Sequence, residues 1–125
     1  MILVDTSVWV DHFRRGDAEL AGLLGRGQVV IHPFVIGEIA CGNLASRRAT
    51  LDLLQHLPRA VAADPDEVLG FIEQRSLYGK GIGFVDAHLL ASTALTSGAR
   101  LWTRDARLRT AAETLGCDHP GPGRH

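Results

Sequence analysis

The amino-acid sequence predicts an α/β fold, a three-layer α/β/α sandwich around a central parallel sheet. Three observations predict it. Short apolar runs such as Ile2-Leu3-Val4 and Gln28-Val29-Val30-Ile31 have the length and branching of buried strands. Stretches with apolar residues at helical spacing separate them, and strand–helix–strand order implies parallel strands joined by right-handed crossovers. The punctuation agrees, with capping residues or proline opening the helical stretches and glycine closing them.

Taken in order, Ile2-Leu3-Val4 opens the chain as the first strand. Asp5-Thr6-Ser7 supplies capping residues, and Val8, Trp9, Val10 and Phe13 begin an amphipathic helix. Gly16 and Asp17 reset the chain, and Leu20, Leu23 and Leu24 repeat at helical spacing up to Gly25 and Gly27. A second strand over 28–31 leads into His32-Pro33, a helix start with proline in the first turn. Val35, Ile36 and Ile39 form that helix's apolar face. Glu38 lies beside them, where burial is expected unless the side chain wraps round to solvent, and a buried carboxylate requires a partner. A helix over 47–57 ends before Pro58, and Ala60-Val61-Ala62-Ala63 reads as a weak third strand. Asp64-Pro65-Asp66-Glu67 combines a cap, a first-turn proline and a Glu three residues after the cap, so a helix is expected to run to about residue 77. The glycine-rich Gly79-Lys80-Gly81-Ile82-Gly83 turns the chain into a long helix over 85–96. A fourth strand over 100–103 and a last helix over 106–115 follow.

The chain has 125 residues, 46% of them apolar and 22% charged, which is the size and make-up of one globular domain. A single domain is expected over 1–119, with a short frayed tail over 120–125. No apolar run approaches the ~20 residues of a membrane span, and the N-terminus lacks the basic and apolar regions of a signal peptide. Two cysteines, Cys41 and Cys117, are too few for a disulfide framework, so a cytoplasmic protein with reduced thiols is expected. The formal net charge is −1, and all cations but Lys80 are arginine, a side chain suited to phosphate contacts.

Sites in open α/β sheets form beyond the carboxyl ends of the strands. Asp5 follows the first strand and Asp105 the fourth. Glu38 lies about two turns into the helix after the second, and Asp86 in the first turn of the helix after the glycine loop. Asp5, Asp86 and Asp105 also fit as plain helix caps. Gathered together, four carboxylates repel and raise one another's pKa, a conflict that a hard divalent cation removes. Oxygen donors of this kind suit Mg²⁺ or Mn²⁺ rather than Zn²⁺, and the chain has no His-x-x-x-His or Cys-x-x-Cys pair. His88, two residues from Asp86, reads as packing or as support for the site. Trp9 and Trp102 read as core. Lys80 is not a phosphate-loop lysine, because Gly-x-x-x-x-Gly-Lys-Ser/Thr is absent, and no Gly-x-Ser-x-Gly elbow occurs.

Four blocks carry a family resemblance that runs from residue 2 to about residue 116. Val4-Asp5-Thr6-Ser7-Val8-Trp9, Gly37-Glu38, the run Gly81-Ile82-Gly83-Phe84-Val85-Asp86-Ala87-His88-Leu89-Leu90-Ala91, and Leu101-Trp102-Thr103-Arg104-Asp105 resemble the PIN-domain ribonucleases, and more narrowly the VapC-type toxins of type II toxin–antitoxin systems. The resemblance implies a PIN-like sandwich and endonucleolytic, Mg²⁺- or Mn²⁺-dependent cleavage of RNA with one or two ions. It maps the family's acidic quartet onto Asp5, Glu38, Asp86 and Asp105, and its supporting hydroxyls onto Ser7 and Thr103. It also implies a homodimer and a small VapB-type antitoxin lying over an apolar groove, for which Val10, Phe13, Leu20 and Leu24 are candidate lining. Arg14, Arg15 and Arg104 are candidate contacts to RNA phosphates.

Two other readings compete. A phosphoreceiver signalling domain shares this length and layering, but it needs an acidic pair after the first strand, an aspartyl phosphoacceptor after the third and a lysine near the end of the chain. Here Asp5 precedes Thr6-Ser7, Asp64 precedes Pro65, and the lone lysine is Lys80. A metal-dependent DNA nuclease or phosphatase would use the same carboxylates. Without the four site acids the chain carries 13 cations against 10 anions, a mildly basic body around an acidic pocket.

Overall fold

The three residues of β1 (Ile2–Val4) are all buried, as expected of a strand covered on both faces. In the computed structural model, which describes residues 1–120, β1 is the middle strand of a parallel sheet. β2 (Val29–Val30) pairs on one side, Ile2 opposite Val29, and β3 (Arg100–Trp102) on the other, Val4 opposite Trp102. Single parallel bridges extend the sheet beyond both outer strands, Ile31 to Arg59 and Leu101 to Asp118. Among the described residues, seven helices flank it: α1 (Thr6–Arg15), α2 (Ala18–Gly25), α3 (Pro33–Ala40), α4 (Arg47–His56), α5 (Pro65–Gln74), α6 (Phe84–Leu95) and α7 (Ala106–Thr114). The chain moves outward from β1 to β2 and Arg59, then returns past β1 to β3 and Asp118. With right-handed crossovers, that reversal puts helices on both faces and opens a crevice between the carboxyl ends of β1 and β3.

Local chemistry explains the helix starts. The Asp17 side chain accepts from Leu20 N at 2.9 Å at the start of α2. Pro33 opens α3, where His32 Nδ1 accepts from Phe34 N at 2.9 Å. Asp64 and Glu67 form a reciprocal capping box on α5, each side chain accepting the other's backbone N–H. Trp9, Leu20, Leu54, Leu89, Leu90 and Leu108 are completely buried around the sheet, and Trp102 nearly so; the two tryptophans are core as read from the sequence. Cys41 and Cys117 are free thiols. Among the described residues no helix is long and apolar enough to cross a membrane.

Several expectations are corrected. The weak third strand over 60–63 does not form. The chain touches the sheet once, through Ile31 N to Pro58 O and Ala60 N to Ile31 O, and then Val61 N turns away to bond Thr96 Oγ1. The outermost row on the other side, through Cys117–His119, carried no periodicity to announce it. α5 stops at Gln74 rather than 77, because Ser76 takes a left-handed φ of 52°. Leu20 is core and Phe13 and Leu24 pack against it, so only Val10 of the four candidate groove residues stands exposed. Of the tail over 120–125, residues 121–125 lie outside the described residues.

Candidate active site

Asp5 sits where β1 ends, at the N-cap position of α1, yet its side chain makes no capping bond. It is buried, 7% exposed, with hydroxyls as its hydrogen-bond partners. Ser7 Oγ donates to Asp5 Oδ2 at 2.8 Å and Thr103 Oγ1 donates to the same oxygen at 2.7 Å. The two hydroxyls are set in turn by backbone N–H groups from the segment after β3: Arg104 N donates to Ser7 Oγ and Asp105 N to Thr103 Oγ1, both at 3.0 Å. Asp5 N completes the seam by donating to Trp102 O at 2.9 Å. The loops after β1 and β3 are thus stitched across the crevice, and the stitching fixes one carboxylate.

The other three acids arrive from three helices. Asp105 is a true cap, its Oδ1 accepting from Arg107 N and Leu108 N at 3.0 Å each at the head of α7. Asp86, in the first turn of α6, accepts from Gly83 N through Oδ2 at 3.2 Å. Glu38 Oε1 accepts from Thr6 Oγ1 at 2.6 Å, which ties α3 to the residue beside Asp5. Glu38 is exposed, so the burial considered for it from its apolar neighbours does not occur; the side chain wraps round to solvent and Thr6 holds it. Thr6 has a role that sequence reading missed, and no signal beyond its adjacency to Asp5 pointed to it.

The electrostatics show the four acids sharing one field. Burial pushes the Asp86 carboxyl above its ordinary value; the Gly83 N–H opposes that, and the charges of Asp5, Asp105 and Glu38 add to it. In each acid the side-chain hydrogen bonds fall on one oxygen, leaving Asp5 Oδ1, Glu38 Oε2, Asp86 Oδ1 and Asp105 Oδ2 outside them. Hard oxygen donors with a mutual repulsion to relieve fit a divalent cation such as Mg²⁺. Among the described residues, however, no three of His, Cys, Asp or Glu stand together as a ready ligand group.

His88 packs among aromatic rings. It is 1% exposed, its ring meets Phe34, Phe84 and His32 edge-on, and neither ring nitrogen has a hydrogen-bond partner. The candidate phosphate contacts from the sequence are divided between the far end of α1 and the site itself, where Arg104 N bonds Ser7 Oγ. Arg14 and Arg15 end α1, roughly 14 Å along its axis from Asp5, and Arg15 pairs with Asp11 at 3.6 Å. Arg104 is engaged by both Asp11 and Asp17, and its hydrogen bond holds the Asp11 carboxyl below its usual range. Asp64, which a phosphoreceiver would need as phosphoacceptor, is occupied in the capping box of α5.

Comparison with known proteins adds the following. The family model described as PIN domain matches residues 2–114. Two curated relatives, each named Ribonuclease VapC32 and coming from the CDC 1551 / Oshkosh and H37Rv strains of Mycobacterium tuberculosis, are 51% identical over 116 residues, covering 93% of this chain and 94% of the relative. Among solved structures, the crystal structure of PAE2754 from Pyrobaculum aerophilum matches with a TM-score of 0.55 at 23% identity, over 91% of this chain and 85% of that one.

Proposed function

The chain belongs to the PIN domain family, as a VapC-type member, and from that premise we propose that it is an endoribonuclease, the toxin of a type II toxin–antitoxin pair, with Asp5, Glu38, Asp86 and Asp105 as its catalytic acids. The observation that carries the site assignment is Asp5: a buried carboxylate at the switch point of the sheet that caps nothing and is fixed by two hydroxyls. An aspartate that serves a helix start alone spends an oxygen on the helix N–H groups, and Asp5 spends neither.

Asp5 and Asp86 would hold Mg²⁺ or Mn²⁺ most directly, as one ion or two, with Glu38 and Asp105 completing the donor set. Such an ion, when bound, lowers the pKa of a coordinated water and offsets charge on phosphoryl oxygens. The side chains supply the rest. Ser7 and Thr103 hold the Asp5 rotamer, so Oδ1 faces the reacting groups without reorganisation. Glu38 Oε2 or Asp105 Oδ2 orients the attacking water and accepts its proton as the oxygen bonds to phosphorus. The phosphorus–O3′ bond then breaks, leaving 5′-phosphate and 3′-hydroxyl ends, with the departing oxygen protonated from solvent. Among the described residues no further domain covers the crevice, an opening that suits an extended polymer better than a small phosphate ester. A VapB-type antitoxin and a second copy of the chain are the proposed partners, and the cytoplasm the proposed compartment.

The test is Asp5→Asn, which preserves shape and both hydroxyl bonds. Cleavage of total RNA should fall by ~100-fold or more while circular dichroism and melting show a folded chain. A folded variant that cleaves at the native rate would overturn the assignment.

A further inference from the structure

A cavity of about 470 Å³ lies against α7 next to the candidate acids, and its chemistry is opposite to theirs. Arg75, Lys80 and Arg107 line it, with the Ser76 and Thr110 side chains and Leu77, and none of its lining residues is acidic. The three cations take no part in the ion pairs of the described residues, which use Arg15, Arg104 and His119. The Arg75 guanidinium rests on the Phe71 ring, 5.5 Å from its centroid. Arg107 lies across the loop at Gly81, where φ is 79° and a Cβ would meet the Arg107 side chain at 2.7 Å. Ser76, Gly79 and Gly81 all have positive φ, so the loop from α5 to α6 curls tightly enough to bring Arg75 and Lys80 to Arg107.

Beyond Leu77 a second, smaller cavity opens, about 190 Å³, lined by Tyr78 and Phe84. Tyr78 is 61% exposed and Phe84 44%, the Phe84 ring also meeting His88 edge-on. Each cavity has one lining residue whose backbone N–H bonds an acid. Arg107 N donates to Asp105 Oδ1, and Gly83, beside Phe84, donates to Asp86 Oδ2. Clustered cations beside exposed aromatic faces are the elements with which proteins hold single-stranded nucleic acid, the cations tracking phosphates and the rings stacking bases.

We propose that this loop and the first turns of α7 form the track that leads single-stranded RNA to the acids, with a backbone phosphate seated among Arg75, Lys80 and Arg107 and a neighbouring base stacked on Tyr78 or Phe84. The proposal rests on the ribonuclease reading and adds the residues that hold the substrate. It also gives Lys80 a function: a phosphate contact to a polymer, outside any nucleotide-binding loop. An acidic segment of a protein partner would suit the cations equally, but the exposed rings beside them and the continuity with Asp86 and Asp105 favour RNA.

The experiment measures binding of a fluorescein-labelled, mixed-sequence single-stranded RNA in the Asp5→Asn background, with Mg²⁺ and with EDTA, over a salt series. The combined R75Q, K80Q and R107Q variant should bind at least about tenfold more weakly, with a log–log salt slope lower by about 0.7, the share of one phosphate on a single strand. Tyr78→Ala should weaken binding about tenfold with the salt slope unchanged. K80Q alone, on an exposed loop residue, reads the effect where folding is not at stake, and R48Q on α4 serves as the remote control. Unchanged affinity and slope in the triple variant, which would leave the cavity to a protein partner, overturns the proposal. So does an equal loss in R48Q, or the absence of RNA binding in the background protein. Continued cleavage by Asp5→Asn would strike the acid assignment instead, and binding in EDTA would still decide the track.

Discussion

Asp86 is the residue at which function and stability oppose each other. Burial and the neighbouring acids hold its carboxyl above the ordinary value of 3.8, so the native state binds its proton more tightly than the unfolded chain does. That costs stability at every pH above the unfolded value, and the cost disappears as the pH falls below it. Asp86→Asn should therefore melt higher than the parent at neutral pH, by a margin that shrinks towards pH 3.8, while losing RNA cleavage; thermal melts across pH test both the sign and the window. His32 works in the opposite direction. Burial, then the nearby His88 and Arg59, push it down from 6.5 to about 4, so the folded chain keeps it neutral where the unfolded chain protonates it. Stability should fall as the pH drops from 6.5 to about 4 and level off below. His32→Asn keeps a capping oxygen for α3 and removes the titration, so its melting temperature should fall less over that window.

At the scale of elements, the helix starts were the most legible feature of the sequence, because a cap is written in adjacent residues. Asp64-Pro65-Asp66-Glu67 predicted the head of α5, and the capping box is there. Asp64→Ala should cost about 1 kcal/mol, lowering the urea midpoint with the slope unchanged and leaving cleavage intact, since no site residue lies on that helix. The acids were legible for a similar reason: Asp5 and Asp105 sit just past short apolar strands, where open α/β sheets place their chemistry. What stayed hidden depends on distant partners. Nothing near Glu38 announced Thr6, and nothing near Arg104 announced that Asp11 and Asp17 would engage it. The outermost rows of the sheet, Arg59 and Asp118, are single bridges, too short to leave an alternating pattern. The weak apolar run over 60–63 misled because composition reports burial and not pairing. Ala60 and Ala63 are indeed buried, Ala60 in the main core beside the sheet and Ala63 against residues of α5 and α6.

For the whole molecule, the near-zero net charge hides two local regions of opposite sign, an acidic crevice and a cluster of three cations at the α5–α6 loop. The other consequence of size lies in the sheet. With so few strands, both of its flanks depend on single bridges. Beside β3 that bridge is made by Leu101 N to Cys117 O and His119 N to Leu101 O, and it is pinned by His119, which meets the Trp102 ring and pairs with Glu19 at 2.9 Å. Residues 117–119 act as a selvedge. They occupy hydrogen-bonding groups that a flat strand would otherwise offer to any extended chain nearby. A chain ending at Gly116 should therefore still assemble its crevice but refold with rising turbidity at concentrations where the longer chain stays clear. Light scattering during dilution from urea would show it. The segment least connected with catalysis would then set the concentration at which this protein can be kept in solution.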